Sequence, residues 1–476
     1  MRKELCALDL ETSGLDIQND AIIEIGLVRL SGGLIVDEYA TLINPGFQIS
    51  AETTHITGIQ QDDLRKAPLL PQILPTITAF AGNAPIIAHN VKFDLGFMRR
   101  FGCLKQNQAI DTLEIASILL PKAPRYGLSA LTEMLEIQLE NAHRALADAR
   151  ATALLYWKLY EIACALPKNL LQEIHRTGRE LNWDLADFFE QAHQEAADRP
   201  IRFQWLSQPV PAPAPDRHIA ESPRSIEAEK LANRLSEDGP LAKILPNYES
   251  RPQQIAMTEE IAQAFNAGEH LLVEAGTGIG KSLAYLTVAA EWAIQNRERV
   301  VIATYTTHLQ EQLQQNDGPI VSELCSEPLA IAVLKGRANY LCPRRLEALR
   351  RRRPANLDEL RVLSKIMIWL DQGGSGDRNE LTLRGPENNT WNRLSAQDEG
   401  CTTVRCSASM QGVCPYYRAR RKAEAAQVLI VNHALLVSDA MREHRVLPDY
   451  QMLIIDEAHQ LEEAITNGLS RSKERR

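Results

Sequence analysis

The stretch "ELCALDLE" and the longer "AIIEIGLVRL" place apolar residues at alternate positions or in short runs, the pattern of half-buried or buried strands. "LPQILPTITAFAG" carries helical spacing, "APIIAHN" reads as another strand, and "HRALADARATALLYWKLYEIACAL" reads as a long helix. Strand and helix patterns that alternate in this way predict an α/β domain over residues 1–165. "NLLQEIHRTGRELNWDLADFFEQAHQEA" extends it with helical periodicity over 166–206. The spaced prolines of "SQPVPAPAPDRHIAESPRS" suit neither a sheet nor a helix interior, and residues 207–225 read as an extended tether. Helix and strand patterns resume over 226–476, and no internal repeat is visible.

The chain has 476 residues, too many for one ordinary core, which agrees with this division. Hydrophobic residues make up 45% and charged residues 24%, the balance of a folded globular chain. No apolar run approaches the roughly 18–20 residues of a membrane span. The start "MRKELCALDLETSG" lacks the apolar core of a signal peptide, because Asp9 and Glu11 arrive too early. A cytoplasmic location without membrane partners is expected. The formal net charge of −9 argues against a uniformly basic nucleic-acid binder, although charge can be local. Arg344 to Arg353 contain six arginines, and "YYRARRK" adds four cations. Such runs are either solvated helix faces or phosphate grips. Of eight cysteines, Cys6, Cys103, Cys164 and Cys325 are scattered and read as ordinary thiols.

Asp9 and Glu11 lie two apart on a predicted strand and share one face. Asp94 follows in "HNVKFD", where a strand gives way to a helix, and His143 and Asp148 follow in "HRALAD". Each has a plain structural reading: Asp94 as a helix cap, His143 as a surface imidazole, Asp148 as a solvated helix residue. Together they suit phosphodiester hydrolysis. Two hard cations about 3.5–4 Å apart neutralise charge on attacking and leaving oxygens, and carboxylates hold Mg²⁺ or Mn²⁺. A histidine can accept the proton of the attacking water. In order, "DLETSGLD", "HNVKFD" and "HRALAD" resemble the DEDDh exonuclease family across the whole first domain. The resemblance implies a ribonuclease H-like fold, release of mononucleotides from a 3′ end, Asp9, Glu11, Asp94 and Asp148 as metal ligands, and His143 as base. Arg144, four before Asp148, excludes the tyrosine variant of the family. "TTHITGIQQDDL" resembles the family's substrate-side loop, with His55 and Thr57 as weaker candidates for touching the terminal nucleotide.

In the second half, Ala275-Gly276-Thr277-Gly278-Ile279-Gly280-Lys281-Ser282 sits between a predicted apolar strand, "HLLVE", and a predicted helix. This P-loop pattern folds backbone N–H groups around phosphates, sends Lys281 to the β- and γ-phosphates and offers Ser282 to Mg²⁺. Asp456, ending the apolar "YQMLIID", would hold the same magnesium, and Glu457 would activate water. "YESRPQQIAM" resembles an adenine-reading Q motif, with Arg251 and Gln254 as the contacts, and "VIATYTTHLQEQL" resembles a motif that helicases lay against a nucleic-acid backbone. Between P-loop and Asp456 stand Cys342, Cys401, Cys406 and Cys414, a set that suits a [4Fe–4S] cluster or zinc. Their spacing and the ending "CPYYRARR", with "VNHALLVSD" after it, resemble the iron–sulfur helicases of the DinG family.

That resemblance implies a cluster insertion over about 335–420 in a RecA-like lobe that is partial here, with the arginine runs gripping single-stranded DNA, or RNA. Seventeen residues follow His459, and the polar end "SRSKERR" has no strand pattern. A chain so ended is expected to degrade 3′ ends but to show little ATPase and no unwinding. An ATP-driven helicase with an accessory nuclease, and an ATP-gated binding module without turnover, are the alternatives. Oligomeric state is not legible.

Overall fold

The structure, a computed structural model, describes residues 4–138, 143–202, 223–276, 278–397, 401–402, 406 and 413–473. It is mixed α/β and divides into two compact units. The first comprises residues 1–207 with 344–394, and the second 208–343 with 395–476. Most of the proline-rich tether predicted over 207–225 lies outside the described residues. No described helix is long and apolar enough to cross a membrane.

The first unit is built on five strands, β1 (Leu5–Thr12), β2 (Ile22–Ser31), β3 (Leu34–Leu42), β4 (Ile86–Ala88) and β5 (Ala109–Asp111), in the order β3-β2-β1-β4-β5. β1, β2 and β3 form an antiparallel meander, whereas β4 runs parallel to β1 and β5 parallel to β4. Ile22, Ile23, Ile25, Leu27 and Val28 make β2 a buried strand, and Leu8 and Leu10 of β1 join Ile77, Ile86, Leu95 and Phe97 in the core. The helix Ala145–Cys164 packs on β1 and β2. Gly26 makes the close fit possible: a Cβ there would lie 2.1 Å from the carbonyl oxygen of Ala145.

Residues 344–394, which the sequence puts inside the cluster insertion of the second half, belong to this first unit. Their central helix, Leu357–Asp371, is buried along almost its whole length. Lys365 has no exposed surface and meets the Glu387 carboxylate at 2.8 and 2.9 Å, so the fully buried cation of that helix is paired. A helix buried on nearly every side needs cover all round. It finds it in the helices Glu387–Leu394, Thr112–Leu119 and Lys168–Glu180.

Among the described residues, the second unit has four parallel strands, β6 (Val300–Thr304), β7 (Ile331–Val333), β8 (Val428–Asn432) and β9 (Met452–Ile455), in the order β7-β8-β6-β9. β6 and β8 are near-continuous apolar runs, as expected for strands covered on both faces. The strand predicted in "HLLVE" does not form. Residues 269–275 have no regular structure, and Leu272 is 91% exposed. A strand exists only through its partner's hydrogen bonds, and no described strand of this sheet pairs with that segment.

Candidate nuclease site

β1 sets Asp9 and Glu11 on one face, as the two-residue period requires, with Leu8 and Leu10 turned into the core. Asp94 enters from the first turn of the helix Val91–Arg100, is 5% exposed, and accepts a hydrogen bond from the Leu10 amide at 3.2 Å. Asp148 lies in the first turn of Ala145–Cys164, and its carboxylate accepts from the His143 amide at 3.1 Å. His143 itself has φ of 67° and an exposed side chain just before that helix. Among the described residues, Glu11, His143 and Asp148 offer ligand atoms that all lie within 4.8 Å of one another. The five residues named from the sequence are thus brought to one site.

The charges there oppose one another. Burial, then Asp94, Asp148 and Glu11, push the Asp9 carboxyl well above its ordinary range. Burial, then Asp148 and Glu24, push Glu11 up to about 7, and burial pushes Asp94 up to about 8 despite the Leu10 amide. Asp148 is also raised, chiefly by burial. A set of acids that resists ionisation is what a site for hard divalent cations looks like before the cations neutralise it. The donor set, oxygens with one imidazole and no thiol, fits Mg²⁺ or Mn²⁺.

Glu24 and Arg144 complete the site, and the sequence reading passed over their roles. Glu24 faces Glu11 across the β1–β2 pair, an unfavourable arrangement for like charges. Its side chain is 4% exposed, and Arg144 clamps it with Nη2 at 2.7 Å and Nε at 3.1 and 3.2 Å. The Ala145 amide donates to the same carboxylate at 3.1 Å. Glu24 therefore ties down the start of the helix that bears Asp148. The available signal was a lone acid in an apolar strand, on the same face as Gly26. On the substrate-side loop, Thr57 spends its hydroxyl on the Thr53 carbonyl at 2.8 Å, while His55 is exposed.

In the second unit, Gly278 and Gly280 take φ of 81° and 86°. The Gln254 amide reaches the Gly280 carbonyl at 2.8 Å, so closely that a Cβ on Gly280 would lie 2.3 Å from it. Arg251 donates to the Gly278 carbonyl. Both expected adenine contacts thus brace the loop. Gly276 is exposed, Ile279 and Ser282 are half-buried, and Thr277 lies outside the described residues. Lys281 Nζ meets Glu457 Oε1 at 3.2 Å, and the Tyr285 hydroxyl meets Asp456 at 3.1 Å, which brings the P-loop helix to the end of β9. Cys342 and Cys414 share one apolar cluster, and the Cys414 thiol, raised to about 11 mainly by burial, also feels Cys406 and Cys401.

The arginine run beside Cys342 is engaged otherwise than expected. Arg350 pairs with Glu173 at 2.8 Å, Arg352 with Glu359 at 2.8 Å, and Arg353 with Glu180 at 2.8 Å. Those guanidinium groups hold protein carboxylates, while the Arg352 and Arg353 side chains stay 55% and 65% exposed.

Residues 6–156 match the family model described as Exonuclease, residues 247–339 that described as Type III restriction enzyme, res subunit, and residues 398–475 that described as DEAD_2. A 3′-5′ exonuclease DinG of Bacillus subtilis (strain 168) is 31% identical over 480 residues, covering 99% of this chain and 51% of the relative. A 3′-5′ exonuclease DinG of Staphylococcus aureus (strain USA300) is 30% identical, covering 97% of this chain and 51% of the relative. The chain spans about half the length of the curated relatives it matches. Among solved structures, exonuclease X in complex with 5′ overhanging duplex DNA is 27% identical, covers 33% of this chain and 91% of that one, and has a TM-score of 0.29.

Proposed function

We propose that this chain, a homologue of the DinG 3′-5′ exonucleases over nearly all of its length, is a metal-dependent 3′→5′ exonuclease joined to part of an ATP-binding helicase lobe. The observation that carries the reading is the convergence of Asp9, Glu11, Asp94 and Asp148 with His143 beside Glu11 and Asp148. Divalent cations held by the four carboxylates would draw charge from the scissile phosphate. His143 accepts the proton of the attacking water. The clamp of Glu24 on Arg144 keeps His143 and Asp148 in register with β1. Single-stranded DNA is the substrate proposed, with RNA as the variant to be compared. Residues 1–165 would form the nuclease and 166–206 its helical extension.

The test is degradation of a 5′-labelled single strand with Mg²⁺ or Mn²⁺. Asp9→Ala is expected to abolish laddering from the 3′ end, and His143→Ala to slow it by about 10²–10⁴-fold. Undiminished degradation by Asp9→Ala would sink the assignment.

A second reading, an ATP-driven helicase with the nuclease as accessory, draws support from Lys281 facing Glu457 across the P-loop. ATP with Mg²⁺ would be held by Lys281, Ser282 and Asp456. Cys342, Cys401, Cys406 and Cys414 would hold a [4Fe–4S] cluster, with zinc as the alternative. Anaerobically purified protein is expected to be brown, with four cysteines per cluster. A colourless protein containing one zinc would decide for zinc.

A further inference from the structure

The helices of 344–394 belong by sequence to the second half of the chain, between Cys342 and Cys401, yet they are built into the nuclease unit. The attachment is both apolar and polar. Helix Leu357–Asp371 lies on Thr112–Leu119 and Lys168–Glu180, and Arg361 reaches Glu114 at 2.5 Å. Asp371 receives Arg199 at 2.7 Å. Both pairs are part-buried, with the Asp371 side chain 2% exposed, so desolvation offsets much of their attraction and the buried helix supplies most of the hold.

One part of the contact leads toward the acids. The Thr382 amide donates to the Pro121 carbonyl at 3.1 Å, and its hydroxyl to the Ala123 carbonyl at 2.8 Å. Arg384 stands 4.6 Å over the ring of Tyr126. These contacts fix both ends of the loop 121–126. The carbonyl of Tyr126 is in turn met by His89 Nε2 at 2.7 Å, while His89 Nδ1 meets the Thr112 hydroxyl at 3.0 Å. Because a carbonyl only accepts, Nε2 carries the proton. Burial lowers the His89 pKa, with Arg384 adding to the fall and the Tyr126 carbonyl opposing it. The next residue, Asn90, has φ of 73° and stands at the N-cap position of the helix that carries Asp94; its amide is tied to Asp111 at 3.0 Å.

We propose that Arg384 and Thr382 are positioning residues of the nuclease, acting through the loop 121–126 and His89 on the helix that carries Asp94. The nuclease then depends on a segment that belongs, in sequence, to the cysteine-bearing insertion. This rests on the exonuclease reading above.

The test uses the full chain. For wild type, Arg384→Ala, Arg384→Lys and Thr382→Val, kcat and KM on a labelled single strand are measured together with the Mn²⁺ concentration for half-activation. Arg384→Ala is expected to lower kcat on the order of 10-fold with KM unchanged and to raise the Mn²⁺ requirement. Arg384→Lys keeps a cation over the ring and is expected to recover most of the activity. An active wild type alongside an Arg384→Ala variant with the same kcat and Mn²⁺ requirement overturns the proposal; an inactive wild type overturns the exonuclease reading instead. Should Arg384→Ala fail to fold, a protease site placed between residues 203 and 222 decides. After cleavage of the intact chain, the N-terminal fragment is expected either to co-elute with the remainder and stay active or to separate and lose kcat. Separation with undiminished kcat and Mn²⁺ requirement overturns the proposal.

Discussion

Asp94 and Glu11 hold their protons more tightly in the fold than an unfolded chain would, because burial and neighbouring acids oppose ionisation. A raised carboxylate pKa means the folded state binds more protons than the unfolded one between the two values. The contribution to stability is then fully present below the ordinary 3.8–4.5 and is lost as pH rises through about 7 for Glu11 and about 8 for Asp94. In EDTA, the melting temperature of the nuclease unit should therefore fall between pH 6 and pH 8.5. Asp94→Asn, which removes one of the strained acids, should flatten that fall. Mn²⁺ at about 100 times its dissociation constant should add about 2.7 kcal/mol and offset the alkaline loss. Differential scanning calorimetry reads all three; a melting temperature indifferent to pH in EDTA would show that the acids are not crowded as described.

The helix Ala145–Cys164 can bring Asp148 to Asp9 only because β2 offers no side chain at Gly26. Gly26→Ala must push the helix start away or bend the strand, at a cost of about 1–3 kcal/mol for overpacking. Because the displaced part also carries the Ala145 amide bound to Glu24, nuclease kcat should fall further than the loss of stability accounts for. Melting and single-turnover degradation measured on the same variant separate the two effects, and a variant destabilised but fully active would refute the link.

Elements such as β1 were legible because one strand's alternation names both its faces, and Asp9 and Glu11 stand out on the polar one. The clamp of Glu24 by Arg144 was not, since the two lie 120 residues apart and neither makes a local pattern. The strand expected at "HLLVE" failed for a related reason: apolar periodicity shows that a segment can pair, while pairing itself depends on a neighbour elsewhere. Likewise, nothing local ties Arg350 to Glu173 across 177 residues, so the arginine run reads as a solvated face or a phosphate grip.

At the scale of the molecule, two candidate sites lie in two compact units. The acids converge in the first, while the P-loop meets the end of β9 in the second. If the units work as separate sites, disabling one should leave the other working. Lys281→Ala removes the cation that now sits against Glu457 and that, on the proposed reading, would meet a triphosphate. A charge-assisted hydrogen bond is worth about 1.5–3 kcal/mol, so binding of a fluorescent ATP analogue should weaken roughly 10- to 100-fold. Degradation of a single strand by the same variant should match wild type. Asp9→Ala should show the converse, with nucleotide affinity intact and degradation abolished. A fall in nuclease kcat on Lys281→Ala, or a response of the wild-type nuclease to added ATP, would mean that nucleotide binding reaches the first unit. The helices 344–394 are the segment to probe next in that event, because the chain enters and leaves them through the second unit, at Pro343 and Ser395.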